Sequence, residues 1–343
     1  MTKAKAERTR PEVVTGKKNP PRPKIESAAD VLSRIFDDGD SYSSVGAEIA
    51  NLSSRYATLH NVVFPKPSRT RLLAVANQKG GVGKTTTAVN LACALAHYGA
   101  QVLVIDMDPQ GNASTALGVQ RQHGMPTTYD VVEGRVSIEN AKQTSQIFAS
   151  LDLVPASIDL SGAELEVANM PNRNLLLRAA LNEFLADSKV HYDYVIVDCP
   201  PSLGLLVLNA MCAVNEVLIP VQAEYYALEG LQQLLHTIEL VQQNYNPDLI
   251  VSTMVITMFD RRTLLSREVY SEVKAHYPDI VLRTTIPRSV KISEAPSFAQ
   301  SVISYDPRGA GSVSYGEAAL EIAERSERVL NMVSKKQSSR EGE

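Results

Sequence analysis

The sequence contains no tryptophan, and aromatic residues make up only 6% of its 343 residues. A fold that reads single-stranded nucleic acid on aromatic stacking platforms is therefore disfavoured. Cysteine is scarce too. Cys93, Cys199 and Cys212 are too few and too unevenly placed for a disulfide framework, and no C-x-x-C pair occurs, which excludes zinc ribbons and thioredoxin-like redox motifs. No run of about 18 apolar residues exists, so no transmembrane helix is expected. The basic first residues are followed by no apolar segment, so no secretory signal is read there and a reducing cytoplasm is the expected location. His97, His191, His236 and His276 stand singly, without metal-ligand spacing. The net charge is −4, so any contact with nucleic acid has to come from a local patch.

Apolar residues at 44% and charged residues at 21% leave ample material for one large α/β domain or two modest ones. Residues 1–24 carry eight basic side chains against two acidic ones, with four prolines and no apolar periodicity. They read as a disordered basic tail, either solubilising or in weak contact with DNA or a partner. Residues 25–69 read as a short helical extension with two apolar patterns, separated by Asp37-Asp38-Gly39-Asp40-Ser41 and followed by the linker Pro65-Lys66-Pro67-Ser68. Over 70–333 apolar strand-length runs (72–76, 102–105, 151–154, 194–197, 217–221, 250–256, 281–284) alternate with helical stretches (84–97, 173–185, 205–211, 228–244, 265–276, 315–333). This alternation implies a doubly wound α/β fold, a mostly parallel sheet with helices on both faces and ligands at the carboxyl ends of the strands. Residues 334–343 read as a disordered tail.

The most informative stretch is Ala76-Asn77-Gln78-Lys79-Gly80-Gly81-Val82-Gly83-Lys84-Thr85-Thr86. It follows a strand and opens a helix, the context in which glycines let several N–H groups point at one anion and the helix N-terminus adds its positive end. Lys84 has the reach for the β and γ phosphates of a nucleotide, and Thr85 the hydroxyl for Mg²⁺. The general pattern G-x-x-x-x-G-K-S/T requires glycine where this chain has Gln78; an additional lysine, Lys79, follows it.

Lys79 through Thr85 resembles the deviant phosphate loop K-G-G-x-G-K-S/T of the ParA/MinD family of ATPases. The resemblance covers about residues 70–333. It implies a P-loop NTPase fold, ATP and Mg²⁺ as cofactors, and ATP bound by Lys79, Gly80, Gly81, Val82, Gly83, Lys84, Thr85 and Thr86. Lys79 would reach across a nucleotide-sandwich homodimer to the partner's phosphates, a cation in trans like an arginine finger. Asp108, in Val104-Ile105-Asp106-Met107-Asp108, would orient the attacking water. Asp198, ending Val195-Ile196-Val197-Asp198, would hold Mg²⁺ through water.

Two further matches resemble the ParA (Soj-type) partition branch. Gln222-Ala223-Glu224-Tyr225-Tyr226 would place Glu224 near the dimer interface. Ile286-Pro287-Arg288, continuing to Glu294-Ala295-Pro296-Ser297, would lie near the adenine pocket and the DNA-binding face, with Pro287 and Arg288 at the nucleotide. The branch's DNA contacts map to Arg262, Arg288 and Lys291. The implied partners are non-specific double-stranded DNA and a ParB-like centromere-binding protein, with a nucleoid-associated location. No cysteine lies between Asp108 and Asp198, which argues against a bridging iron–sulfur cluster. The alternative is a MinD-like membrane-associated spatial regulator. A final helix over 315–333 bearing Glu317, Glu321, Glu324 and Glu327 against Arg325 and Arg328 argues against it, since anionic lipid would repel it; it reads as a core-packing helix, and no membrane partner is expected. A synthetase would need a second substrate site, and none is evident. Residues 1–70 are too short for a separate operator-binding domain.

Overall fold

Every residue of strands β2 (Val102–Asp106), β5 (Tyr194–Asp198) and β6 (Glu216–Gln222) is buried, as continuous apolar strands covered on both faces require. With β1 (Arg71–Val75), β3 (Gln143–Thr144), β4 (Leu151–Val154), β7 (Ile250–Phe259) and β8 (Val281–Pro287) they form one sheet in the order β3-β4-β2-β5-β1-β6-β7-β8. All neighbours are parallel except the β3–β4 pair. The computed structural model describes residues 40–119, 124–167, 170–225 and 227–341. Residues 51–343 form one compact unit; the basic tail 1–24 and the first apolar pattern of the extension lie outside the described residues.

Successive strand residues point to opposite faces, and two cores result. Ala74, Leu103, Ile105, Val195 and Val197 pack with the helices Leu176–Asp187, Leu205–Ala213 and Ala227–Asn244. Leu73, Val75, Val102, Val104 and Ile196 pack with Lys84–His97 and Ala310–Glu324. All three cysteines are buried. Burial pushes the Cys93 thiol up to about 12, so it is an inert packing group.

The amino end of the sheet is locked by a buried ion pair. Arg71 donates to both Glu216 oxygens at 2.8 and 2.5 Å, and also to the Ile322 carbonyl and the Ser326 hydroxyl. Every guanidinium nitrogen thus has a partner, which an isolated buried charge would lack.

The carboxyl-terminal segment departs from the sequence expectation. One helix over 315–333 is in fact two, Ala310–Glu324 and Ser326–Glu341, and the second runs through residues read as a disordered tail. Arg325 sits at the break and donates to the carbonyls of Asp279, Ile280 and Val281. Glu321 is no solvent-facing acid. It is 4% exposed and accepts the N–H groups of Arg283 and Thr284 on the edge strand β8, covering an edge that would otherwise invite another strand. The last helix carries Arg328, Lys335, Lys336 and Arg340 against Glu327 and Glu341, so charge does not set it apart from a membrane-binding helix. Packing does: its Val329, Leu330 and Val333 are buried in the domain. Among the described residues no helix is long and apolar enough to cross a membrane. The extension's second pattern is the helix Asp40–Asn61, which starts within the expected break. Its Leu59 is buried, and its Arg55 bonds Glu317 and Ser314.

Candidate functional site

The phosphate loop leaves the carboxyl end of β1, the strand between β5 and β6 where the winding reverses, which is where doubly wound sheets hold ligands. Gly81 and Gly83 adopt φ of 73° and 88°, the left-handed region that a side chain disfavours. Gly83 also precedes the first turn of the helix Lys84–His97, and no side chain caps that helix. A Cβ added at Gly80 or Gly81 would meet nothing within 4 Å. This side of the loop is open to an anion approaching the free N–H groups of the helix end.

Two anchors hold the loop. Asn77 donates to the Pro220 carbonyl at 2.7 Å and accepts the N–H of Lys79. Thr257, on β7, donates to the Val82 carbonyl at 2.8 Å, and Val82 is buried. Neither anchor was identified from the sequence, since a single polar residue at a strand end carries no spacing signal.

Lys84 is only 7% exposed, and its ammonium donates to the Lys79 carbonyl at 3.1 Å. Burial holds it below the ordinary lysine range, opposed by Asp198, Cys199 and Asp108. Asp198 ends β5 in register with Val75 and Asp106. Both its oxygens are buried without a hydrogen-bond partner. Burial first, and then Asp106, push its carboxyl well above the usual range; the nearby Thr85 hydroxyl offsets part of this. An orphaned buried carboxylate beside a threonine hydroxyl and a lysine fits a cation shared with phosphate. Among the described residues no group of three or more His, Cys, Asp or Glu could hold a metal ion alone. That suits Mg²⁺, which keeps waters and is usually bound with substrate phosphates rather than in an all-protein cage.

Asp106 has a different task. It is buried, accepts both the N–H and the hydroxyl of Ser114, and accepts the N–H of Asp108. It therefore shapes the turn that presents Asp108, itself 7% exposed, whose Oδ1 accepts the Gln110 N–H at 3.0 Å. Burial pushes the Asp106 carboxyl up to about 6. Thr86 lies in the first turn of the helix Lys84–His97, its carbonyl accepting from Asn90.

The remaining expected residues lie at the carboxyl ends of β6, β7 and β8. Lys79 Nζ donates to Glu224 Oε2 at 3.1 Å within the same chain. Gln222 holds Glu224 Oε1 at 2.6 Å, and Arg288 lies 3.8 Å from the same oxygen. Pro287 ends β8 opposite Phe259. The Arg288 N–H donates to the Phe259 carbonyl. Arg262 makes a two-pronged contact with Asp260 at 3.0 and 2.9 Å, and Lys291 bonds Glu294 at 3.0 Å. The structure thus brings Lys79, Glu224 and Arg288 together, with Asp260 within electrostatic reach of Arg288.

A family model described as an AAA domain matches residues 70–251. The chain is 49% identical over 255 residues to the chromosome partitioning protein ParA of Caulobacter vibrioides (strain NA1000 / CB15N), which spans 74% of this chain and 94% of that protein. It is 46% identical over 253 residues to the sporulation initiation inhibitor protein Soj of Bacillus subtilis (strain 168), spanning 74% and 98%. Among solved structures it is similar to cobyrinic acid a,c-diamide synthase from Mycobacterium smegmatis with bound ATP analogue and magnesium, at 38% identity and a TM-score of 0.62, over 73% of this chain and 93% of that one.

Proposed function

The chain belongs to the ParA/Soj family of partition ATPases, and from that premise we propose an ATP-switched partition motor that dimerises on ATP, binds duplex DNA without sequence preference and lets go on hydrolysis. ATP and Mg²⁺ are its cofactors. The observation that carries the reading is the convergence of the open loop, buried Lys84 and orphaned Asp198 at the carboxyl ends of the central strands β1 and β5.

In this mechanism the loop N–H groups and Lys84 cradle the β and γ phosphates. Thr85, and Asp198 through water, would hold Mg²⁺, which would supply positive charge against the phosphates. Asp108, set by Asp106, orients the attacking water. Lys79 leaves Glu224 and reaches the partner protomer's phosphates, so hydrolysis needs the dimer. Among the described residues no glutamine or cis arginine is assigned to the chemistry. A slow basal rate then needs stimulation, for which a ParB-like protein is the proposed partner.

Arg262, Arg288 and Lys291 face solvent, with side-chain exposures of 90%, 67% and 53%. Dimerisation doubles three candidate phosphate contacts to six. Binding to arbitrary duplex DNA should require ATP and weaken with salt, six contacts setting a limiting slope of log K against log[salt] of about −5. Fluorescence anisotropy with Arg262→Glu is expected to show no binding while ATP-driven dimerisation survives. Deleting residues 1–24, which carry a net +6, is the control. Binding lost on that deletion but kept in Arg262→Glu would make the tail the DNA contact. Flotation with anionic liposomes in place of DNA binding would favour the membrane reading.

A further inference from the structure

Each cation of the proposed DNA patch already holds a carboxylate of its own chain. Arg262 grips Asp260 through Nε and Nη2. Arg288 faces Glu224. Lys291 bonds Glu294 and lies 5.4 Å from the ring centre of Tyr305, whose hydroxyl donates to the same Glu294. Three positive side chains are matched by three negative ones, although nothing in the phosphate chemistry calls for Asp260 or Glu294. The Arg262–Asp260 contact has the two-pronged geometry with which a guanidinium grips a phosphate.

We infer that Asp260 and Glu294, with Glu224, are guard carboxylates that occupy the phosphate-binding positions of the patch and set a threshold for DNA that one protomer's patch does not clear. This rests on the DNA-binding reading above and adds its regulation. A phosphate must displace a tethered carboxylate at each position. A polyanion offering many phosphates at once can do so where a free anion cannot. The displaced carboxylates then take up counterions, which offsets part of the counterion release that drives binding. The wild-type salt slope should therefore be shallower than the six-contact limit. Arg262 and Arg288 hold the Asp260 carboxyl down to about 2, so it stays charged at any working pH. Glu224 is the guard shared with the phosphate loop, through Lys79.

The test uses the full chain carrying Asp260→Asn and Glu294→Gln. Asparagine keeps the acceptor that Asp260 Oδ1 offers to the Arg262 N–H, so the turn survives while the charge goes. Glu294→Gln alone is the fallback if the double variant folds poorly. An exposed pair shifts an equilibrium by a factor of about 1.5 to 5, and each dimer loses four guards. Affinity for arbitrary duplex DNA should rise by roughly tenfold, ATP-free binding should become measurable at low salt, and the salt slope should steepen by about 1 or more. An unchanged affinity and slope in the variants, with Arg262→Glu still abolishing wild-type binding, would overturn the guard and leave the patch standing. Wild-type binding that survives Arg262→Glu would instead sink the patch itself.

Discussion

Lys84→Ala is expected to lose ATP affinity by at least about 100-fold, roughly 2.7 kcal/mol, with the fold intact. The ammonium sits at the mouth of the loop, 7% exposed, tied to the Lys79 carbonyl at 3.1 Å. It is partly desolvated already, as its lowered pKa records, so a phosphate reaching it meets a charge shielded little by water. Alanine removes that charge and leaves Asp198 and Asp108 facing an anion uncompensated. The helix itself tolerates the change, because alanine is the best helix former and the position is in the first turn. Calorimetric titration with ATP, alongside near-UV circular dichroism, measures both parts. Wild-type affinity in a folded Lys84→Ala protein would contradict the phosphate-loop assignment.

Asp108→Ala should bind ATP normally, hydrolyse it about 100-fold more slowly and accumulate as the ATP-bound dimer. Positioned acid–base groups contribute about 10² to 10⁴ in rate, and Asp108 is a buried carboxylate two residues past β2 whose Oδ1 accepts the Gln110 N–H. Asp108→Asn separates the two roles, since the amide oxygen still accepts the Gln110 N–H but the charge is gone. Both variants should be equally slow in single-turnover assays. Recovery of turnover in Asp108→Asn would mean that the turn, not the carboxylate, is what hydrolysis needs. Asp106→Asn is expected to behave differently, loosening the Ser114 contacts and the presentation of Asp108 together.

How far these residues were legible in the sequence follows from how local their causes are. The helix Lys84–His97 has the bounds the sequence implied, because glycines before it and apolar periodicity within it are local signals. The seven principal strands were found within a few residues for the same reason. The two-residue strand β3 leaves no periodicity to detect. The break at Arg325 went unseen because neither glycine nor proline marks it; it follows from carbonyls some 45 residues away. The partners of Glu321 could not be read for a related reason, being N–H groups of β8. At the site, Lys84 stood out as a motif residue at a helix start, and Asp108 and Asp198 as motif residues at or just past strand ends. Asn77 and Thr257 did not, and the pairing of Lys79 with Glu224 spans 145 positions of sequence. Such contacts exist only once the parallel sheet has gathered its carboxyl ends.

The single-chain contact between Lys79 and Glu224 also makes the central claim measurable. If Lys79 must leave Glu224 to complete a partner's ATP site, removing it should spare nucleotide binding by the monomer and prevent assembly. Sedimentation velocity of the full chain, with and without Mg-ATP, on wild type and Lys79→Ala is the direct measurement. Wild type is expected to be a monomer that becomes a dimer on ATP, and Lys79→Ala a nucleotide-binding monomer at all ATP concentrations. A wild-type chain that stays monomeric at saturating ATP, or a Lys79→Ala protein that dimerises and hydrolyses normally, would contradict the central claim.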